Sequence, residues 1–272
     1  MRSMAHLLRI LNSSMPKPEL YGWFHILWLV ITVAFTVYLC RRFPAGKEKQ
    51  VRIVLLAISV MVILLECYKQ VNYTFQVTNA GTINADYQWY AFPFQFCSTP
   101  MYVGLLAAVW PNGKIHRSLC AYLASYAVFA GLCVMVYPAD VFIGTIGINI
   151  QTMICHGTMI SIGVYLLYTG YVPATKQTVL RAIPVFSVAV AIAAIMNEVA
   201  FHTGLLKTET FNMFFISPYC EPSLPVYSWV QKMVSFPWCL MLYILAFSVA
   251  SALVVLVAAL IKKAAAKKVK SA

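Results

Sequence analysis

Charge is scarce in this chain. Only 10% of its 272 residues are Asp, Glu, Lys or Arg, against about a quarter in a soluble domain. Acidic side chains are scarcest, 8 against 20 basic ones. With 61% hydrophobic residues and a mean hydropathy of +0.78, this excludes a sizeable soluble domain and gives an all-α, polytopic membrane protein. No two cysteines have CxxC spacing, so a structural zinc site is not expected. A disulfide scaffold is excluded as well. Cys40, Cys67, Cys97, Cys120, Cys133, Cys155 and Cys239 lie in or beside apolar runs, where a thiol behaves as a small hydrophobe; Cys220 falls in an expected outer loop. There is no internal repeat, and no low-complexity stretch apart from the alanine–lysine tail. The stretch His6–Leu11 is too short for a signal-peptide core, and no small-residue cleavage site follows it. Residues 1–20 are therefore expected to form an interfacial amphipathic segment.

A bilayer requires about 20 apolar residues per helix. Runs of that kind are expected over Tyr21–Cys40, Val51–Val71, Phe92–Trp110, Leu119–Tyr137, Ile148–Tyr171, Val179–Phe201 and Val234–Ile261. These make a seven-helix domain over 21–261, followed by a basic tail, 262–272. The first, third and fifth links and the tail hold fourteen of the 20 basic residues. That bias puts them in the cytoplasm and the N-terminus outside. Nucleic acid is not an expected partner, because the basic residues are dispersed over short links and serve orientation and anionic lipid. The two longest links, Asn72–Ala91 and His202–Met233, lie outside and are expected to act as lids.

Titratable groups inside a bilayer are costly and by default functional. His25, Glu66, Cys97, His156, Glu198 and His202 come from five apolar runs. Threading places all six within about two helical turns of the outer face. Cys97, in AFPFQFCSTPMY, is a candidate nucleophile, with a kink expected because Pro100 cannot donate to the Phe96 carbonyl. His156, in NIQTMICHGTMI, is the candidate base, with Gly157 permitting close approach. A packed thiol and a histidine bonded across helices are the alternatives. Glu66, three residues before Lys69, is either a snorkelling ion-pair partner or a carboxylate that orients the imidazole. Glu198 and His202 share a helix face at i, i+4, but the pattern is not HExxH, so no metal and no cofactor is expected.

Beyond these residues, the chain resembles the bacterial YwaF-type integral membrane proteins, related to a vertebrate multi-pass membrane acyltransferase that builds polyunsaturated ether phospholipids. The resemblance runs from about His25 to Tyr243. It rests on His25 in GWFHILWL, on Glu66 and Tyr68, on Cys97 in FPFQFC and on Pro138 with Asp140. His156-Gly157, Asn212 in FNMFFISP and Phe236-Pro237-Trp238 complete it. One position departs: Gln95 stands where the family usually has a histidine, and glutamine cannot act as a base.

The resemblance implies cysteine-dependent acyl chemistry on membrane phospholipids in the cell membrane. Cys97 would attack and His156 would be the base. Glu66 or Glu198 would orient it, and Gln95 or Asn212 would serve the oxyanion. His25 and His202 join the expected substrate-binding set. Transport or small-ligand binding through the Glu and His residues is the competing expectation.

Overall fold

The computed structural model describes residues 2–78, 80–204, 211–220 and 225–271. Backbone polar groups in hydrocarbon must be satisfied within the chain, and the apolar runs do this as helices. Helix α1 (Arg2–Leu11) precedes α2 (Trp23–Arg42) and α3 (Glu48–Thr74). A hairpin follows, β1 (Phe75–Val77) antiparallel to β2 (Ile83–Ala85), with Phe75 opposite Ala85. Then come α4 (Thr99–Val109), α5 (Lys114–Leu123), α6 (Tyr126–Val136), α7 (Ile146–Tyr168), α8 (Lys176–His202), α9 (Pro225–Met233) and α10 (Phe236–Ser271). Six helical stretches are long and apolar enough to cross a membrane: α2, α3, α5 with α6, α7, α8 and α10. The chain is an all-α multi-pass membrane protein.

The expected third span is the one that does not form as read. Its helical part is only α4, about 16 Å at 1.5 Å per residue, and Phe92–Ser98 are turn and extended chain. Proline is the reason. Pro100 stands in the first turn of α4, where its missing N–H costs little. It therefore starts the helix rather than kinking it. The Phe96 carbonyl expected to be free accepts the Thr99 hydroxyl at 2.8 Å. The expected fourth span is broken between α5 and α6, where the Ser125 hydroxyl donates to the Ala121 carbonyl at 2.7 Å. Gly163 of α7 lies against this break, and a Cβ there would stand 2.6 Å from the Leu123 carbonyl. Helix α10 continues through the basic tail to Ser271.

Helix α7 packs on α2, α3, α5 and α6; α3 also packs on α4, and α8 on α5 and α10. Helix α10 leaves most of its apolar surface exposed. Phe96, Tyr126, Tyr243 and Phe247 close around Phe186 with ring centroids 4.5–6.0 Å apart. Phe214 joins this cluster at 6.2 Å. It belongs to the link expected to be a lid, yet Met213, Phe214 and Ile216 are fully buried. Phe214 and Phe215 hold φ of 58°, a left-handed conformation that is unusual for bulky residues and persists only where surroundings impose it. Of the remainder of that link, residues 205–210 and 221–224 lie outside the described residues.

Candidate functional site

Glu66 lies near the C-terminal end of α3, buried between α4 and α7. Its Oε1 accepts from Lys69 Nζ at 2.8 Å and from Gln70 Nε2 at 2.6 Å. Its Oε2 accepts from Gln151 Nε2 of α7 at 3.3 Å. Three donors on one buried carboxylate offset much of its desolvation. Gln70 also donates to the Ala91 carbonyl at 2.9 Å, and its Oε1 accepts the Tyr87 hydroxyl at 2.6 Å. Burial and the nearby Glu66 charge push Tyr87 above the usual tyrosine range, which keeps it a donor. The link Asn72–Ala91 is thereby tied to the carboxylate below it.

Helix α1 lies over the same end. Tyr68 Oη and Asn72 Nδ2 donate to the Leu11 carbonyl at 2.7 and 3.0 Å. Residues just after α1 pair with the chain entering α7, Ser14 opposite Thr145.

Cys97 is placed in the turn just before α4, ahead of the N-cap Ser98, not within a helix. It stands within electrostatic reach of Glu66 and Lys69, as does Cys155 of α7. The two thiols line one small cavity of about 20 Å³ with Ser59, Met101, Thr158 and Met159. That volume holds a single water. Gln151, which reaches Glu66, also donates to Cys155 Sγ at 3.3 Å. Sequence reasoning classed Cys155 as core and gave Gln151 no role; their i, i+4 spacing on α7 is the signal that joins them.

His156 is buried in α7 with its Nδ1–H donating to the Thr152 carbonyl at 2.7 Å. That bond fixes the neutral tautomer and leaves the lone pair on Nε2. Nε2 is buried and has no hydrogen-bond partner. Buried polar atoms are rarely left so. No hydrogen bond joins His156 to Cys97. Gly157 beside it admits Thr32 of α2, whose hydroxyl a Cβ there would meet at 2.5 Å.

The six groups expected in one site are divided. His25 is fully buried, yet Nε2 donates to the Met135 carbonyl at 2.8 Å and Nδ1 accepts the Tyr21 N–H at 3.0 Å. Nε2 ties the start of α2 to the end of α6 and Nδ1 holds the turn that enters α2, so neither nitrogen remains for a ligand. Glu198 and His202 form a 3.3 Å pair at the end of α8 with exposed side chains. Tyr219 donates to Glu198 at 2.7 Å, which pushes its hydroxyl above the usual range. Neither residue belongs to the Glu66 network; their partners are each other and Tyr219.

Gln95 is spent on the buried turn. Its Nε2 donates to the Asn212 carbonyl at 3.0 Å and its Oε1 accepts the Phe214 N–H at 2.9 Å. Asn197, beside Glu198, grips the other side through Met213, donating at 3.1 Å and accepting at 2.8 Å. Tyr243 donates to the Phe214 carbonyl at 3.1 Å. Asn212 accepts the Ser217 N–H on Oδ1 at 2.9 Å, and its Nδ2 makes no hydrogen bond among the described residues. Nor do any three His, Cys, Asp or Glu side chains among them gather in metal-binding geometry.

A family model described as the TMEM164 family matches residues 20–261. The chain belongs to the TMEM164 family. No curated protein and no solved structure matches it. The matched range runs from before α2 into the last apolar turns of α10. It takes in every group of the Glu66 network, Cys97, His156 and the buried turn, so these features stand within the TMEM164 family region.

Proposed function

We propose that this TMEM164 family protein moves or hydrolyses acyl chains of phospholipids in the cell membrane. Cys97 is the nucleophile and His156 the base. The observation that carries the reading is the buried Nε2 of His156, an unpartnered lone pair in the same packed bundle as the thiol. In the first step Cys97 Sγ attacks the ester carbonyl, and its proton passes to Nε2. The ester C–O bond breaks, a thioester remains on Cys97, and the imidazolium returns the proton to the departing lysolipid alcohol. A second lysolipid hydroxyl, or water, then attacks the thioester and regenerates the thiol.

Asn212 Nδ2 is the side-chain donor left for the oxyanion, since Gln95 is committed to the buried turn. Glu66 sets the charge beside Cys97 through Lys69. The reading requires the chain ahead of α4 to separate from α3 and α7 when lipid enters, since the present cavity admits only water. Kinship to the YwaF-type proteins and their vertebrate acyltransferase relative, an outward-facing N-terminus and a seventh membrane helix belong to the same proposal.

Purified protein in nanodiscs, given labelled phospholipid and lysolipid, tests it. Cys97→Ala should abolish product. His156→Gln should lower the rate by about 10²–10⁴-fold, the usual contribution of a general base, and Cys155→Ala should leave it near wild type. Wild-type turnover in Cys97→Ala removes the thiol from the mechanism.

Ion or small-ligand transport is the second reading, favoured by the buried Glu66–Lys69 pair between α3 and α7. It predicts flux that depends on Glu66 and ignores Cys97→Ser.

A further inference from the structure

Glu48 and Glu66 stand eighteen residues apart on α3, about 27 Å along the axis. At the Glu48 end the bundle holds a cavity of about 520 Å³, within the size range of small-ligand sites. The opening turns of α5 and α8 wall it, together with the chain between α7 and α8. Asn112, Gly113, His116, Arg117, Tyr171 and Arg181 supply its polar lining.

The charges of this cavity are unbalanced. Among the described residues no carboxylate lies within ion-pair distance of Arg117 or Arg181. The one acidic side chain on the wall, Glu48, is already paired with Arg52 at 2.9 Å. Arg52 is itself engaged, donating to the Ala108 and Trp110 carbonyls at 2.9 and 2.7 Å and to Asn112 at 2.9 Å. The cavity therefore holds two guanidinium groups without an ion-pair partner among the described residues, its one carboxylate being held by Arg52.

Further polar groups stand at the same wall. Helix α5 begins at the wall with Gly113 as N-cap, and no side chain caps its first N–H groups, which carry the positive end of the helix dipole. The Tyr171 hydroxyl, 2.6 Å from His116 Nε2, is pushed up to about 12 by burial and the neighbouring Cys120 and Glu48. It stays protonated at neutral pH. The buried His116 ring has no hydrogen bond of good geometry at Nδ1.

We propose that this cavity binds a phosphate-bearing anion between Arg117 and Arg181. Two planar guanidinium forks and uncapped helix N–H groups suit the several oxygens of a phosphate, which accepts bidentate bonds from each arginine. The phosphate belongs either to the headgroup of an anionic lipid or to a soluble phosphorylated molecule. This site stands apart from the acyl-transfer reading and does not depend on it.

The full chain in detergent tests the proposal, with native mass spectrometry for retained lipid and thermal unfolding for soluble ligands. The probes are phosphatidylglycerol against phosphatidylcholine, and glycerol 3-phosphate with inorganic phosphate. Arg117→Gln with Arg181→Gln should lower affinity roughly tenfold or more, the order expected for lost charge-assisted bonds. Lys262→Gln with Lys263→Gln, an equal charge change outside the cavity, should leave it unchanged. Arginine-dependent retention of phosphatidylglycerol alone assigns the lipid source; arginine-dependent stabilisation by the soluble phosphates assigns the other. Three results overturn the site: no probe bound by wild type, wild-type affinity in the double arginine variant, or an equal loss in the lysine variant.

Discussion

Glu66 and Glu198 both sit in the closing turns of a long helix with a basic side chain three or four residues on. The Glu66–Lys69 contact is 2.8 Å and the Glu198–His202 contact is 3.3 Å. Their surroundings differ. The Glu66 side chain is 6% exposed and the Glu198 side chain 38%. Buried between helices, Glu66 draws Gln70 and Gln151 as further donors and ties α3 to α7. Glu198 has only His202 and Tyr219, at an edge where solvent or headgroups compete. The same local pattern therefore yields a structural and electrostatic hub in one place and a rim contact in the other. What separates them is desolvation, since an ion pair gains or loses most where water cannot replace it.

The largest test of this contrast removes each carboxylate in turn. Glu66→Ala strands Lys69 beside an uncompensated set of buried donors, and should cost about 3–5 kcal/mol in detergent unfolding. Glu198→Ala should cost about 0–1 kcal/mol. Equal losses would erase the distinction between hub and rim.

A middle-sized effect concerns the buried Asn212–Phe214 turn, held by Gln95 and by Asn197 beside Glu198. Gln95→Ala and Asn197→Ala each leave backbone groups of the Asn212–Phe214 turn unpaired, at about 1–3 kcal/mol in the same unfolding measurement. The loss should be accompanied by increased hydrogen exchange at Met213 and Phe214. Gln95→His, the residue the resemblance leads one to expect, should not restore the full stability, because the two ring nitrogens of an imidazole point in other directions than the amide oxygen and nitrogen that reach Phe214 and Asn212.

The smallest effect lies at the rim. Tyr219 is raised by its bond to Glu198, so the protonated hydroxyl is the form the fold favours. By linkage its contribution is complete below the ordinary tyrosine value and is lost as pH rises through the raised one. Tyr87 and Tyr171 titrate late as well, so the late part of the tyrosinate absorbance should lose one hydroxyl in Tyr219→Phe rather than vanish. An unchanged late titration in Tyr219→Phe would remove the Glu198 contact.

Much of this was legible in the residues. The scarcity of charge and the length of the apolar runs gave the membrane class and six of the helices. The depth argument brought Glu66 and Cys97 to one end. His156 was singled out as a candidate base, and its unpartnered nitrogen is the feature the acyl-transfer reading rests on. The third expected span is helical only over α4, because an apolar count cannot see that Pro100 lets the helix begin at Thr99. The polar partners of Glu66 were hidden because Gln70, Gln151 and Tyr87 are neither charged nor set in any motif, and a hydrogen bond between helices leaves no periodic trace. His25 was misjudged for the same reason, since its two partners are backbone groups of Met135 and Tyr21.

Composition and hydropathy by themselves determined that this chain must enter a bilayer as helices, because its backbone has no other way to satisfy itself there. They also singled out the few titratable groups within the apolar runs. Which of those groups meet was decided by packing alone. Depth along a helix follows from counting residues, but direction around it depends on neighbours. Gly157 and Gly163 admit their partner helices, Phe214 fills the bundle, and Cys97 and Cys155 come to line one cavity while Glu198 and His202 pair at an exposed helix end.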